Sequence, residues 1–251
     1  MASNKPTIVI VPGSFCPASL YDSLSEKLRK FGYEIIVGEL PSVACEPPQP
    51  AATMEEDAAV FHQIIEKLCD QGKQVVIFAH SYGGTVANES AKSLSKTERD
   101  NQGKPGGIIK IVYLASIITE VGKARLSDFR PRYLTLKDDY LFLEPITGAE
   151  DIIGDVPFEQ ALKVTEKMPH HSAVSFSGLL THAGYKWVPV VYILCEKDKV
   201  VPPEYQRGFI EVLREGTNKP VPTISLDSNH CPNISMPEEL ANVVQKAIVE
   251  L

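Results

Sequence analysis

Between Gln74 and Val86 the chain reads QVVIFAHSYGGTV. Four apolar residues, Val75 to Phe78, predict a buried strand. The short turn Ala79-His80-Ser81-Tyr82-Gly83 follows, and from Gly84 helical spacing resumes at Val86, Ala87, Ser90, Ala91 and Leu94. A serine between strand and helix, with a very small residue two positions away on each side, is the pattern of a nucleophile elbow. The small residues have a physical purpose. The turn must be sharp enough to lift the Ser81 hydroxyl out of the sheet, and a bulky side chain at 79 or 83 would strike neighbouring backbone. A helix N-terminus behind the serine also offers N–H groups to developing negative charge. Ala79 departs from the usual glycine by one methyl. The competing reading is an ordinary strand–turn–helix that happens to hold a serine.

The rest of the chain repeats the same alternation. Thr7–Val11, Tyr33–Val37, Ile108–Leu114, Trp187–Leu194 and Thr223–Leu226 are apolar strand candidates, nearly continuous rather than alternating. Between them lie helical patterns: Leu20, Leu24, Leu28 and Phe31; then Phe61, Ile64, Ile65 and Leu68 after the capping box Thr53-x-x-Glu56; then about Pro203 to Glu215; then Pro237 onward. This predicts an α/β fold with a parallel sheet of about six strands and helices on both faces. Residues 117–186 break the rhythm. They are rich in large apolar side chains, among them Phe129, Tyr133, Leu141, Phe142, Met168 and Phe176, and too long for a structureless loop. They are expected to form a mostly helical lid over the C-terminal sheet edge, inserted into a core of residues 1–116 and 187–251. An excursion packed on the side of the domain is the alternative.

Acyl transfer by serine needs a base for its proton and a carboxylate to orient that base. Ser81 follows the third strand, Asp198 the fifth and His230 the sixth, the chain order Ser…Asp…His expected of this chemistry. Each lies a few residues past its strand, where function collects. His62 falls within a helix, and His80, inside the elbow, should point away from the Ser81 hydroxyl. His170, His171 and His182 belong to the lid region and read as packed or solvated residues in preference to pocket-lining ones. Glu120 is the runner-up acid, and Glu196 and Asp227 read as surface residues. Cys231, beside His230, has no helix dipole and no base of its own, so it reads as a small pocket residue. The oxyanion hole requires two backbone N–H groups. Tyr82 supplies one; the loop Pro12-Gly13-Ser14-Phe15 supplies the other, from Ser14 in preference to Phe15, with Gly13 allowing close backbone approach. Gly13, Phe15 and Cys231 are the expected substrate contacts.

At these residues the chain resembles the α/β-hydrolases, and within them the plant methylesterase and hydroxynitrile lyase group. VPGSFCPAS corresponds to that group's HGxxHG-type loop, AHSYGG to its GHSLGG, YILCEKDKVVPPEYQR to the segment around the acid, and SNHCPNISMPEEL to that around the base. Residues 117–186 show no such match. The resemblance implies an α/β-hydrolase fold and a serine esterase. Pro12 replaces the group's oxyanion-loop histidine, which removes a side chain but no amide donor. The lyases of the group resemble a hydrolase carrying a threonine near the oxyanion loop and a lysine after the histidine. Gly13 and Cys231 stand at those positions, leaving no ammonium for a cyanide leaving group.

The expected reaction is hydrolysis of a small to medium apolar carboxylic ester or lactone through an acyl-enzyme on Ser81, with no cofactor and no metal. HExxH and Cys/His ligand spacings are absent from the sequence. The same triad could serve lactonisation or acyl transfer, and a non-hydrolytic binding protein could keep the scaffold. A net charge of −7, from 25 basic and 32 acidic residues, argues against nucleic acid or anionic membrane as partner. The apolar run Ile8–Val11 is too short for a signal-peptide core, and no stretch approaches a membrane span. Five scattered cysteines without a CxxC pair fit reduced thiols in a cytoplasmic protein, with a homodimer as the assembly to look for.

Overall fold

Alternate residues of each central strand face opposite ways, and both faces are apolar. Val9, Val11, Val75, Ile77, Ile111 and Tyr113 enter one core cluster; Ile8, Ile10, Val76, Phe78, Val112 and Leu114 enter another. A strand buried on both faces belongs inside a helix-covered parallel sheet. The computed structural model describes residues 5–45, 48–124 and 131–250; Phe129 lies outside them. In chain order the elements are β1 (Thr7–Val11), α1 (Asp22–Lys30), β2 (Glu34–Val37), α2 (Pro41–Ala44), α3 (Met54–Asp70), β3 (Gln74–His80), α4 (Gly83–Ser90), α5 (Lys96–Asn101) and β4 (Gly107–Leu114). Next come β5 (Leu134–Lys137), β6 (Tyr140–Leu143), α6 (Pro145–Ile152), α7 (Phe158–Thr165) and β7 (His171–Ser172). The chain then runs through β8 (Val190–Cys195), α8 (Pro203–Thr217), β9 (Thr223–Leu226), α9 (Pro232–Ser235) and α10 (Pro237–Val249).

Six strands form one parallel sheet in the order β2-β1-β3-β4-β8-β9. On one face lie α3 and α4, with Leu213 of α8; on the other lie Leu24 and Leu28 of α1 and Leu240 and Val244 of α10. Phe61 and Ile65 of α3 are fully buried, each worth about 1.5–3 kcal/mol in apolar transfer. The predicted capping box opens α3: Thr53 Oγ1 accepts from Glu56 N–H, and the Glu56 carboxylate accepts from Thr53 N–H.

The strand order places the site. From β1 the chain crosses to β2 on one side, and from β3 to β4 on the other, so the loops after β1 and β3 diverge at a switch point where α/β sheets bind ligands. Val11 pairs with Ala79, so β1 ends within one residue of the end of β3.

The connection after Leu94 contains α5, which the Ser95 side chain caps by accepting from Glu98 N–H. Residues 117–186, which run between β4 and β8, carry, beside the expected helices (α6 and α7), an antiparallel sheet in the order β5-β6-β7 that was not expected. Lys137 pairs with Tyr140 across the two-residue turn Asp138-Asp139, and Asp138 takes φ 54°. Two short apolar runs joined by such a turn are a hairpin signal that the sequence held. Ile152, Ile153 and Ala161 gather with Val200, Val201 and Cys231 in a third apolar cluster, so this segment packs on the loops that follow β8 and β9.

Candidate active site

The elbow is strained as the motif requires. Ser81 has φ 53°, a left-handed conformation costing a non-glycine residue about 1–2 kcal/mol. It is held by Ser81 N–H donating to Leu114 O and by Ser81 O accepting from Gly84 and Ile117 N–H, all at 3.0 Å. A Cβ at Gly83 would come within 2.5 Å of the carbonyl oxygens of Val11 and Pro12, so only glycine lets α4 approach β1 this closely. Ala79 is fully buried. Tyr82 precedes the first residue of α4, which sets its amide at a helix N-terminus. Its hydroxyl leaves the site, donating at 2.7 Å to Asp57 Oδ2, while Asp57 Oδ1 accepts from Ser42 N–H at 2.8 Å. Burial pushes the Asp57 carboxyl up to about 6.

The loop after β1 lies against this turn. A Cβ at Gly13 would sit 3.2 Å from Ser81 Cβ, so absence of a side chain is what brings the loop to the serine. Its amides are nearly all used. Gly13 N–H donates to Tyr21 Oη at 3.0 Å, Phe15 N–H to His171 Nδ1 at 3.4 Å, and Cys16 N–H to Gly13 O at 3.3 Å. Ser14 N–H alone of the four has no partner among the described residues.

His230 and Asp198 meet. The imidazole Nδ1 is 2.7 Å from Asp198 Oδ2, and both residues are buried. Oδ1 accepts from Val200 and Val201 N–H at 2.8 and 2.9 Å, and Gln206 Nε2 donates to Oδ2 at 3.2 Å. With both oxygens so engaged, the carboxylate is fixed in the orientation that receives Nδ1–H. Asn229 Oδ1 accepts from His230 N–H at 2.7 Å, and Asp155, from the segment between β4 and β8, accepts from Asn229 N–H at 2.9 Å.

His80 ties the Ser81 turn to His230. Its Nε2–H donates to His230 O at 2.9 Å, which leaves Nδ1 to accept from the Tyr21 hydroxyl at 2.7 Å. One chain of bonds thus runs from Gly13 N–H through Tyr21 and His80 to the backbone of His230. Burial and the neighbouring His230 ring hold His80 down at about 3, so the ring stays uncharged. Among the described residues no hydrogen bond joins the Ser81 hydroxyl to His230.

A cavity of about 360 Å³ opens at this point. Gly13, Ser14, Phe15, His230 and Cys231 form its floor, and Leu134, Leu136, Leu141, Ile152, Met168 and Phe176, from the segment between β4 and β8, form much of its wall. Burial drives the Cys231 thiol well above its usual range, which disfavours a thiolate there. All five cysteines are free thiols. The rival acids lie elsewhere: Glu120 pairs with Lys123, Glu196 with Arg207 and Asp227 with Lys197, all at exposed or half-exposed positions. His62, in α3, bonds Ser90 O at the end of α4, His170 bonds Cys45 O, and His182 stacks on Trp187. Sequence reasoning missed Tyr21, Gln206 and Asp155, each brought to the site by tertiary contact, and named His171 without placing it there; of the three missed, Gln206 alone carried a signal, in the Pro-x-x-x-Gln-Arg of the acid segment. No helix among the described residues is long and apolar enough to cross a membrane.

The profile of the alpha/beta hydrolase family matches residues 8–243. Over 245 residues the chain is 38% identical to a Phoma sp. protein named "Probable hydrolase R7", covering 96% of this chain and 97% of that one. It is 25% identical to Methylesterase 9 of Arabidopsis thaliana, covering 95% and 96%. The crystal structure of the Arabidopsis methylesterase MES16 superposes with a TM-score of 0.73 at 20% identity, over 98% of this chain and all of the other, a likeness of fold.

Proposed function

The chain belongs to the alpha/beta hydrolase family, and from that premise we propose that it is a serine esterase acting on a small to medium apolar ester or lactone. His230 takes the Ser81 proton, Ser81 attacks the carbonyl carbon, and the Ser14 and Tyr82 amides receive the oxyanion. Asp198 stabilises the imidazolium. The same imidazole returns its proton to the leaving alkoxide, then activates water to release the acid. The observation that carries this reading is the Asp198–His230 pair, buried at 2.7 Å and tied through His80 to the strained Ser81 turn. The apolar wall of the cavity supports the substrate class, and residues 117–186, which furnish it, serve as a lid.

Fluorophosphonate labelling, peptide mapping of the adduct and kcat on short p-nitrophenyl esters test the mechanism. The adduct is expected on Ser81. Ser81→Ala should lose at least about three orders of magnitude in kcat, and undiminished turnover by that variant would refute the mechanism. Labelling without multiple turnover would point instead to a binding protein on the hydrolase scaffold.

A further inference from the structure

The wall segment also reaches inward. His171, on β7, is fully buried, and its ring packs against the side chains of Phe15 and Tyr82, residues beside or at the two amides assigned to the oxyanion. Its centroid is 5.2 Å from the Phe15 ring on one side and 5.2 Å, edge to face, from the Tyr82 ring on the other. Its tautomer follows from its partners. Ser175 Oγ–H donates to Ser172 O at 2.9 Å, so the hydroxyl oxygen must accept from His171 Nε2–H at 3.0 Å. The lone pair is left on Nδ1, where Phe15 N–H donates.

That bond acts at a strained position. Phe15 has φ 63°, a conformation that a non-glycine residue keeps only when its surroundings hold it. Tyr21 anchors Gly13 from one side and His171 anchors Phe15 from the other, with Ser14 and its open N–H between them. The edge-to-face contact meanwhile sets the ring of Tyr82, whose own amide is the second donor.

We propose that His171 is a positioning residue for the oxyanion hole, a side chain from the segment between β4 and β8 that fixes the Ser14 amide through Phe15 and the Tyr82 amide through the Tyr82 ring. The inference rests on the esterase reading. It makes the segment part of the catalytic geometry as well as a wall. Because the oxyanion exists only beyond the ground state, the contribution falls on kcat and leaves substrate affinity nearly untouched.

The test compares His171→Phe, which keeps an aromatic ring but offers no acceptor, with His171→Asn, whose Oδ1 takes the place of Nδ1. His171→Phe should lower kcat ten- to a hundredfold on p-nitrophenyl butyrate, with KM within threefold of wild type. Fluorophosphonate labelling of Ser81 should slow in parallel, since it too builds negative charge on that oxygen. His171→Asn should recover kcat to within about fivefold of wild type. Wild-type kcat in His171→Phe, or equal loss in both variants at matched melting temperature, would overturn the proposal. If His171→Phe does not fold, His171→Asn is set against His171→Gln, whose longer amide reaches for Ser175 rather than Phe15. A higher kcat for the Asn variant supports the proposal, and an equal or reversed order overturns it. Indifference of these variants in an enzyme that labels on Ser81 defeats this inference alone, whereas full turnover by Ser81→Ala defeats the esterase reading beneath it.

Discussion

Asp198→Asn tests the base–acid pair without removing an atom of bulk. The new amide has two orientations. In one, its oxygen stays on Val200 and Val201 N–H, at the 2.8 and 2.9 Å that Asp198 Oδ1 now spans, and its NH₂ faces His230. In the other, the oxygen faces His230 and the NH₂ confronts two buried backbone donors. Each buried donor left without an acceptor costs about 1–3 kcal/mol. The first orientation sacrifices only the 3.2 Å contact from Gln206 Nε2, because His230 can change tautomer and accept on Nδ1. It therefore wins by at least about one such donor, roughly 1–3 kcal/mol. In that state the His230 proton sits on Nε2, the nitrogen that the proposed mechanism needs free as its base. The expected loss in kcat is about three to four orders of magnitude. KM and melting temperature should change little. Turnover of p-nitrophenyl butyrate measures the first, and the low-field proton resonance of the His230 Nδ1–H, absent from the variant, reports the tautomer. A folded Asp198→Asn enzyme with kcat within tenfold of wild type would refute the assignment of this pair to the reaction.

Two buried groups should make stability depend on pH in opposite senses. His80 sits at about 3, below its ordinary 6.5, so the unfolded chain takes up a proton that the folded chain refuses, and stability falls as pH drops below 6.5. Asp57 sits at about 6, above its ordinary 3.8, so the folded chain keeps a proton that the unfolded chain releases, and stability falls as pH rises from 3.8 to 6. Each slope approaches about 1.4 kcal/mol per pH unit and largely offsets the other in the shared window. Urea midpoints between about pH 4 and 6 should therefore rise with pH in Asp57→Asn and fall with pH in His80→Gln; slopes of the same sign would refute the account. Tyr21→Phe strands Gly13 N–H and His80 Nδ1 at once and should cost about 2–5 kcal/mol in chemical denaturation, with kcat falling as well; a loss under about 0.5 kcal/mol would show that the relay carries no weight.

The main sheet was legible because its signals are local. A run such as Ile8-Val9-Ile10-Val11 between a polar start and Pro12-Gly13 has few alternatives, and the Thr53–Glu56 capping box closes within one turn of helix. The segment at 117–186 was less legible. Among the described residues its strands are two to four residues long and α6 and α7 eight each, too short for a period to emerge from composition. The three-stranded sheet there depends on β7 pairing with β6 across 29 or more residues of chain, as in Leu141 with His171. Of the candidate site, Ser81, Asp198 and His230 stand on spaced motifs and were legible as candidates, and the structure pairs the last two. Those that hold them were not, because Tyr21, Gln206 and His171 bear no motif of the reaction itself.

By itself the sequence determined the order of strands and helices, the sharp turn at Ser81 and the chemical types after β3, β8 and β9, since each is written in a few neighbouring residues. Only the tertiary structure decided the rest: that Asp198 and His230 pair, that His80 joins the Ser81 turn to His230, and that His171 enters from a distant strand to touch Phe15. Spacing along a chain limits which residues can meet, but direction, tautomer and burial are settled when separate loops pack. There an imidazole acts as donor or acceptor according to the group it meets.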